Sequence, residues 1–340
     1  MRAMPASRQL TLAGLAALLV LVSLVVVGLG PIHMTTGEAA SSVARLLTGH
    51  GHDSGSDLLI AAVRAPRVLT AVLVGAALGI AGAAMQTVFH NPLAEPGITG
   101  VSSGAAVAAV LLIVTGGARI PGVLPLGAFL GAMAVAGFIQ VFSLSAPGRS
   151  SAPLLLVGIA LNALLGAVVS AVITNAPQAE QARSALFWLN GDLTGRSMDD
   201  VRMATPPIVI GVLALAWHTR ELNLLSLGDA TAQTSGLDVR ACTRRIIAAA
   251  ALATAGGVAV TGIISFVGLV IPHIVRLIWG GDHRFVMPAS ALLAAIFLVI
   301  ADTIARMAFS PVSVQTGTVT ALVGAPFLLA LVLRDGGVRQ

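Results

Sequence analysis

Residues 262–284 read GIISFVGLVIPHIVRLIWGGDHR, and the fold turns on this stretch. It is apolar almost throughout as far as Pro272, which stands between Ile271 and His273; charge returns at Arg276, Asp282, His283 and Arg284. A proline in an apolar run of membrane length removes a backbone donor and ends or kinks a helix. Gly262, Gly268, Gly280 and Gly281 permit close helix contact and sharp turns. The pattern predicts two helices meeting at a tight bend, followed by a short cytoplasmic turn; physics alone admits a single kinked membrane helix as well.

The rest of the chain has the same character. Of 340 residues, 56% are hydrophobic and 10% charged, with a mean hydropathy of +0.95, whereas a soluble domain carries about 25% charge. A soluble core of this size does not absorb so much apolar side chain, so lipid is the solvent. All 19 basic residues are arginine. Without lysine there is no Walker A phosphate loop, whose lysine reaches the nucleotide phosphates, and no Schiff-base catalysis. If ATP drives this protein, another chain binds it. The single Cys242 forms no internal disulfide, and neither CxxC nor HExxH occurs. The isoelectric point near 11.3 comes from arginines scattered between apolar runs with little aromatic interleaving, which points to loop charge rather than nucleic acid.

About 20 apolar residues span a bilayer as a helix, and ten such segments are predicted. Leu10–Gly30 is the first; its apolar run exceeds the usual signal-peptide core of about 7–15 residues and shows no clear cleavage site, so a retained helix is expected. Pro31–Val63 reads as an external segment. Val68–His90 is the second span, and Asn91-Pro-Leu-Ala-Glu-Pro96 interrupts the chain before Gly97–Val114 resumes as the third. Pro121–Phe142, Pro153–Ile173 and Val201–Trp217 follow, with a mixed segment at Asn175–Asp200. Glu221–Arg245 is a polar loop, Ile246–Ile264 and Ser265–Trp279 form the bent pair, and Phe285–Ala305 and Thr316–Leu333 complete the set. Ten spans put both termini on one side. Eleven arginines on that side against eight on the other make it cytoplasmic.

A basic start, a small-residue helix and a proline break recur in both halves: Arg67 through Gly75–Gly82 to Asn91–Pro96, and Arg245 through Gly256 and Gly257 to Pro272. The chain is therefore expected to be one membrane domain over residues 1–340, with halves of about 1–200 and 201–340 related by a weak internal repeat of the kind transporters use.

Ionisable side chains inside spans are functional candidates because inserting each costs about 2.5–3.5 kcal/mol. Asp302 and Arg306 lie four apart on one helix face, where they are expected to pair, and Glu95 sits in the proline-bounded break. Mid-membrane carboxylates and histidines are few, which speaks against a carrier driven by an ion gradient, and no convergent catalytic set supports a membrane enzyme. Gly82, Gly97, Gly100 and Gly104, with Ser102 and Ser103, suit close packing or a wide passage. Met85, Gln86 and Phe89 continue one helix toward the proline break, facing a pathway, the core or lipid. His50, His52 and Asp53 read as an exposed loop or a metal catch, and His90 and His273 as helix-break caps or haem ligands. In the loop at 221–241, Leu222, Leu224, Leu225 and Leu227 precede Gly228, Asp229 and Ala230, and Gly236 follows. Two short amphipathic helices joined by glycine fit this pattern, a knob for a partner's groove.

Four segments together resemble the FecCD family of ABC importer permeases: VRAPRV at 63–68, GAALGIAGAAMQTVFHNPLAEPGITGVSSGA at 75–105, LNLLSLGDATAQTSGLDVR at 222–240, and a block from 262 to 334 containing SFVGLVIPHIVRL, GDHR, PASALL, ADTIAR and TALVGAPFLLALVLR. The resemblance implies an all-α polytopic membrane protein of about ten transmembrane helices with the BtuC-like permease fold, in the bacterial cytoplasmic (inner) membrane with both termini cytoplasmic. It implies a permease for an iron chelate, a ferric siderophore or haem, with cobalamin as the alternative cargo. Its implied partners are a second copy of itself or a close homologue, two ATPase subunits, a substrate-binding lipoprotein or periplasmic protein, and the bilayer, with no nucleic acid. No cofactor or metal is implied on this chain, ATP and Mg²⁺ belonging to the ATPase. By the same resemblance Arg64, Arg67 and Arg306 receive the binding protein, Leu225, Gly228, Asp229, Ala230 and Gly236 couple to the ATPase, Ser150 and Ser151 fall at a cytoplasmic gate, and Met85, Gln86 and Phe89 are pathway candidates.

Overall fold

The structure is a computed structural model that describes residues 4–29, 55–145, 152–308 and 314–336, with Gly37, Ser41 and Arg45 between them. Among the described residues every regular element is helical. In chain order these are α1 (Ala6–Gly28), α2 (Ala65–Val88), α3 (Val101–Val114), α4 (Val123–Ser145), α5 (Ala152–Thr174), α6 (Ala179–Leu189), α7 (Met198–Trp217), α8 (Thr219–Leu225), α9 (Asp229–Thr234), α10 (Val239–Thr261), α11 (Val267–Trp279), α12 (His283–Met307) and α13 (Thr316–Gly336). Among the described residues seven apolar segments are long enough to cross a bilayer, and Val101–Val114, Val267–Trp279 and Thr316–Ala330 are shorter apolar helices. Together they match the ten expected spans.

α2 is the axis of the molecule, packed against α7, α10, α11 and α12. In an apolar 18-residue stretch of the segment Asp57–Val88 that contains it, 78% of residues are buried, against 11% in the corresponding stretches of α1 and of Pro153–Thr174. The difference lies in side-chain size. Gly75, Gly79 and Gly82 fall on one face at helical spacing, and a Cβ on Gly75 would sit 2.6 Å from the Ala294 carbonyl oxygen, while one on Gly82 would overlap the Gly268 carbonyl. Backbones therefore meet directly, as in membrane helix pairs whose contact faces lack bulk. The outer helices present Leu10, Leu130, Leu156 and Leu164 outward, the surface a bilayer requires.

The bend predicted in 262–284 is present, but Pro272 does not make it. α10 ends at Thr261, Gly262 takes φ 72° and Phe266 φ 69°, and α11 runs unbroken through Pro272 to Trp279. Pro272 lacks the N–H that would serve the Gly268 carbonyl. The Gln86 side chain answers from α2: its Nε2 donates to the Leu269 carbonyl at 2.9 Å and lies 3.5 Å from that of Gly268. The other interruption falls as expected. α2 stops at Val88, His90 adopts φ 48°, a 3₁₀ turn covers Pro96–Thr99, and Gly100 (φ 78°) leads into α3.

The two breaks meet. Glu95 Oε2 accepts the Phe266 backbone N–H at 3.3 Å. Asn162 of α5 donates to the carbonyls of Gly97 and Ile98, both at 3.2 Å, and accepts from Ser103 Oγ at 2.7 Å. With Thr254 and Ser265 these side chains line a cavity of about 220 Å³.

Two boundaries differ from expectation. α10 begins at Val239, seven residues before Ile246, because Asp238 caps it by accepting from the Ala241 N–H at 3.0 Å; its first turns bury Val239 and Cys242 and keep Arg240 and Arg245 outside. Much of Glu221–Arg245 is thus helix rather than loop. Likewise, helical turns at Gly55–Leu59 and Ile60–Arg64 run straight into α2, within what was read as an external segment. His50, His52, Asp53, Ser150 and Ser151 lie outside the described residues.

The packing face of α2 yields a paired test. Gly82→Ala places a methyl into the α11 backbone and is expected to lower the thermal midpoint in detergent micelles by the equivalent of about 1–3 kcal/mol, the range for overpacked cores. Gly137→Ala, in α4 with nothing within 4 Å of the added methyl, is expected to leave it unchanged or slightly raised.

Candidate functional site

Two polar clusters stand at opposite ends of α2, which at 24 residues and about 1.5 Å per residue is roughly 36 Å long. One gathers around α8 and α9, and the other around Asp302.

The sequence expectation of two short helices joined by glycine is met. α8 buries Leu222 and Leu225 to 0% and 1% exposure, and Gly228 at φ 98° turns the chain into α9. Gly236 at φ 85° closes the segment. Gly228 and Gly236 occupy conformations that a side chain disfavours. Asp229 and Ala230 open α9, and Leu227 stands 64% exposed beside them. α8 rests on α2 and α12, and His90 Nε2 meets the Leu225 carbonyl at 2.9 Å, with Asp229 Oδ1 4.0 Å away.

Behind α8 a directional chain of hydrogen bonds crosses four helices. Arg276 of α11 donates to Thr87 Oγ1 at 3.0 Å, to the Ala83 carbonyl at 2.7 Å and to Gln86 Oε1. Thr87 Oγ1 lies 2.7 Å from His283 Nε2, and Asn223 Oδ1 accepts from both the backbone N–H and Nδ1 of His283, at 2.8 and 2.9 Å. An amide oxygen only accepts, so Nδ1 carries the ring proton and Nε2 receives the Thr87 hydroxyl. Asn223 Nδ2 then donates to Asp282 Oδ1 at 3.0 Å. A guanidinium at one end and a carboxylate at the other polarise the bonds between them in one sense. Arg8 of α1 joins through Asp282 at 3.4 Å and the Trp279 carbonyl at 2.9 Å. Burial pushes the Asp282 carboxyl up, but the Arg284 N–H, the Asn223 amide and the charges of Arg284 and Arg8 outweigh it and hold the group below the usual carboxylate range. The turn therefore keeps its anion at neutral pH and loses it only in acid. A cleft of about 760 Å³ opens beside the chain, lined by Gln86, His90, Asn223, Leu227, Arg276 and Arg284 among others.

Of the expected pathway residues, Met85 and Phe89 are buried at 1% and 8% exposure, and Gln86 at 3% is engaged by α11. Within this chain they form the packed end of α2, with Gln86 reaching the cleft wall. The polar chain itself escaped the sequence reading. Thr87, Asn223, Arg276 and His283 are single polar residues in apolar or mixed segments, and only folding brings them together. The signal that was available is Arg276, a lone cation one turn after Pro272.

At the far end the structure gathers Arg64, Arg67 and Arg306, each engaged inside the chain. Arg64 is 5% exposed and donates to the carbonyls of Val27 and Gly28 at 2.8 and 3.0 Å; Arg306 donates to that of Leu29 at 3.1 Å. Together they cap the C-terminus of α1, whose last carbonyls lack helical partners. The expected pairing of Asp302 with Arg306 is not formed. Asp302 instead holds Arg67 in a two-pronged ion pair at 2.7 and 2.8 Å and accepts from Thr316 Oγ1 at 2.8 Å, joining α2, α12 and α13. The planar fork of Arg67 matches both carboxylate oxygens, while Arg306 is turned to the Leu29 carbonyl.

Because Asp302 and Arg67 are 4% and 12% exposed at their side chains, removing one partner strands the other. Arg67→Met or Asp302→Leu alone is expected to cost about 3–5 kcal/mol, and the double replacement clearly less than the sum, as a double-mutant cycle of thermal midpoints will read.

The FecCD transport family model matches residues 15–334. The cobalamin import permease BtuC of Halobacterium salinarum is 43% identical over 84% of this chain and 75% of its own length. The hemin transport permease HmuU of Yersinia pestis is 41% identical (80% and 82%), and the Fe(3+) dicitrate permease FecD of Escherichia coli 37% identical (94% and 98%). A solved structure of a metal-chelate type ABC transporter in an inward-facing conformation superposes with a TM-score of 0.84 at 29% identity, over 95% of this chain and 99% of the other. With ten apolar helices among the described residues, one of them a glycine-faced axis, and the family's segments in order along them, the chain belongs to the FecCD transport family of ABC importer permeases.

Proposed function

We propose that this chain is the membrane-spanning subunit of an importer that carries an iron chelate, a ferric siderophore or haem, inward across the bacterial cytoplasmic membrane. Family membership over residues 15–334 is the observation that carries this reading. The 43% identity to a cobalamin permease favours cobalamin as a second cargo.

On this reading the protein divides its work between the two ends of α2. α8 and α9 face the cytoplasm and follow the ATPase, which binds ATP and Mg²⁺ on a separate chain; the absence of lysine from all 340 residues supports that division. Leu225 anchors the segment, Gly228 and Gly236 set its turns, and Asp229 and Ala230 are its contact. At the outer end Arg64, Arg67 and Arg306 are proposed to supply the positive field that acidic residues of a substrate-binding protein meet, with Arg306 at the contact and Arg64 and Arg67, both held inside the chain, acting from behind it; complementary charge sets register and encounter rate. The passage is proposed to run between two copies of the chain. Its walls are then outer helices such as α5 and α13, with Ser150 and Ser151 at the entrance to α5, and the packed Met85 and Phe89 serve as the rigid backing. ATP binding closes the ATPase pair, the α8–α9 segment moves with it, and access alternates between the two faces.

Reconstitution in liposomes tests this directly. Uptake of radiolabelled iron, offered as a siderophore complex or as haem, is expected only with the ATPase, the binding protein and ATP together; uptake of cobalamin alone selects the second cargo, and uptake by this chain under an ion gradient overturns the reading. Gly228→Val or Asp229→Ala is expected to lower uptake at least tenfold with insertion unchanged. Wild-type uptake in those variants removes α8–α9 from the coupling role.

A further inference from the structure

The cleft beside α8 has a floor that the chain itself leaves electrically incomplete. A guanidinium has five N–H donors, and Arg276 uses three: one to Gln86 Oε1, one to the Ala83 carbonyl and one to Thr87 Oγ1. All three acceptors are neutral. Among the described residues no carboxylate contacts Arg276, and two of its donors have no acceptor. Asp282, on the same cleft wall, is occupied by Arg8, Asn223 and the Arg284 N–H. Arg284 and His90 add basic character to the lining, so the cleft as a whole favours a negative group. A partly buried cation without a counter-ion is costly, and an entering anion finds its remaining donors at the cleft wall. The rim adds apolar surface, for Leu227 is 64% exposed and Leu93, beside the lining residue Pro92, is 36% exposed.

We propose that this cleft receives a carboxylate side chain, flanked by apolar neighbours, from the partner ATPase, with Arg276 as its counter-charge. The proposal rests on the reading of α8 and α9 as the ATPase-facing segment. Asn223, Ser226 and Leu227 of that segment form one wall of the cleft, so an inserted acid would couple directly to the chain running from Arg276 through Thr87 and His283 to Asp282. The contact complements a knob seated in the ATPase: the permease offers a socket as well, and docking becomes reciprocal.

The test measures affinity between the reconstituted permease and its ATPase, after the wild-type pair has shown ATP-dependent uptake. A wild-type pair that neither binds nor transports overturns the functional reading itself. Leu227→Glu, which places a negative charge at the cleft mouth, is expected to weaken binding at least tenfold, and the near-isosteric Leu227→Gln less than threefold. Arg276→Gln is expected to weaken binding tenfold or more, with Arg276→Lys restoring part of it. One acidic residue of the ATPase, replaced by alanine, is expected to weaken binding to the wild-type permease and to have no further effect on Arg276→Gln. If Arg276→Gln does not fold, the Leu227 pair and the acidic scan decide. Equal affinities for Leu227→Glu and Leu227→Gln overturn the proposal. So does stabilisation of the isolated permease by inorganic phosphate through Arg276 with ATPase affinity unchanged, which would make the cleft a free-anion site.

Discussion

A backbone amide inside a bilayer has no water to turn to, and the helix breaks before α3 and α11 answer to that constraint. The helices satisfy themselves. The interruptions do not, and side chains from neighbouring segments complete them: Gln86 serves the carbonyls near Pro272, Glu95 in the other break takes the N–H of Phe266, and Asn162 reaches the carbonyls of Gly97 and Ile98. The same economy holds at the rim, where Arg64 and Arg306 take the last carbonyls of α1. Each of these polar groups sits where a hydropathy count registers a penalty, and each removes a larger one.

The constraint also explains what the sequence disclosed. Apolar length and the spacing of breaks come from local chemistry, so ten spans, the interruption before α3 and the paired short helices around Gly228 were legible. The source of the bend was not. Proline is the strongest local breaker, yet Pro272 is carried inside α11 because a glutamine almost two hundred residues earlier stands in for the lost donor. The start of α10 was hidden for a related reason: its first turns are amphipathic, with Arg240 and Arg245 outward over buried Val239 and Cys242, and average hydropathy reads such a face as loop.

Charge pairing was the least legible feature. Arg306 stands four residues from Asp302, and the helical rule put them together; the structure prefers Arg67, whose fork arrives end-on from another helix and binds both oxygens. Arg276, Thr87, His283 and Asn223 likewise belong to four helices, and with Asp282, which caps α12, they form one ordered chain only in three dimensions. Resemblance to a family singled out the segment at 221–241 by its residues, but the polar chain behind it follows from geometry alone.

The attachment of α5 has a mechanical consequence. Only a small part of this helix is buried, and among the described residues its polar fastening to the rest of the chain is Asn162, close to the midpoint of Ala152–Thr174. A rod pinned near its middle is a seesaw. Any tilt about that point carries its two ends, at the two faces of the membrane, in opposite directions.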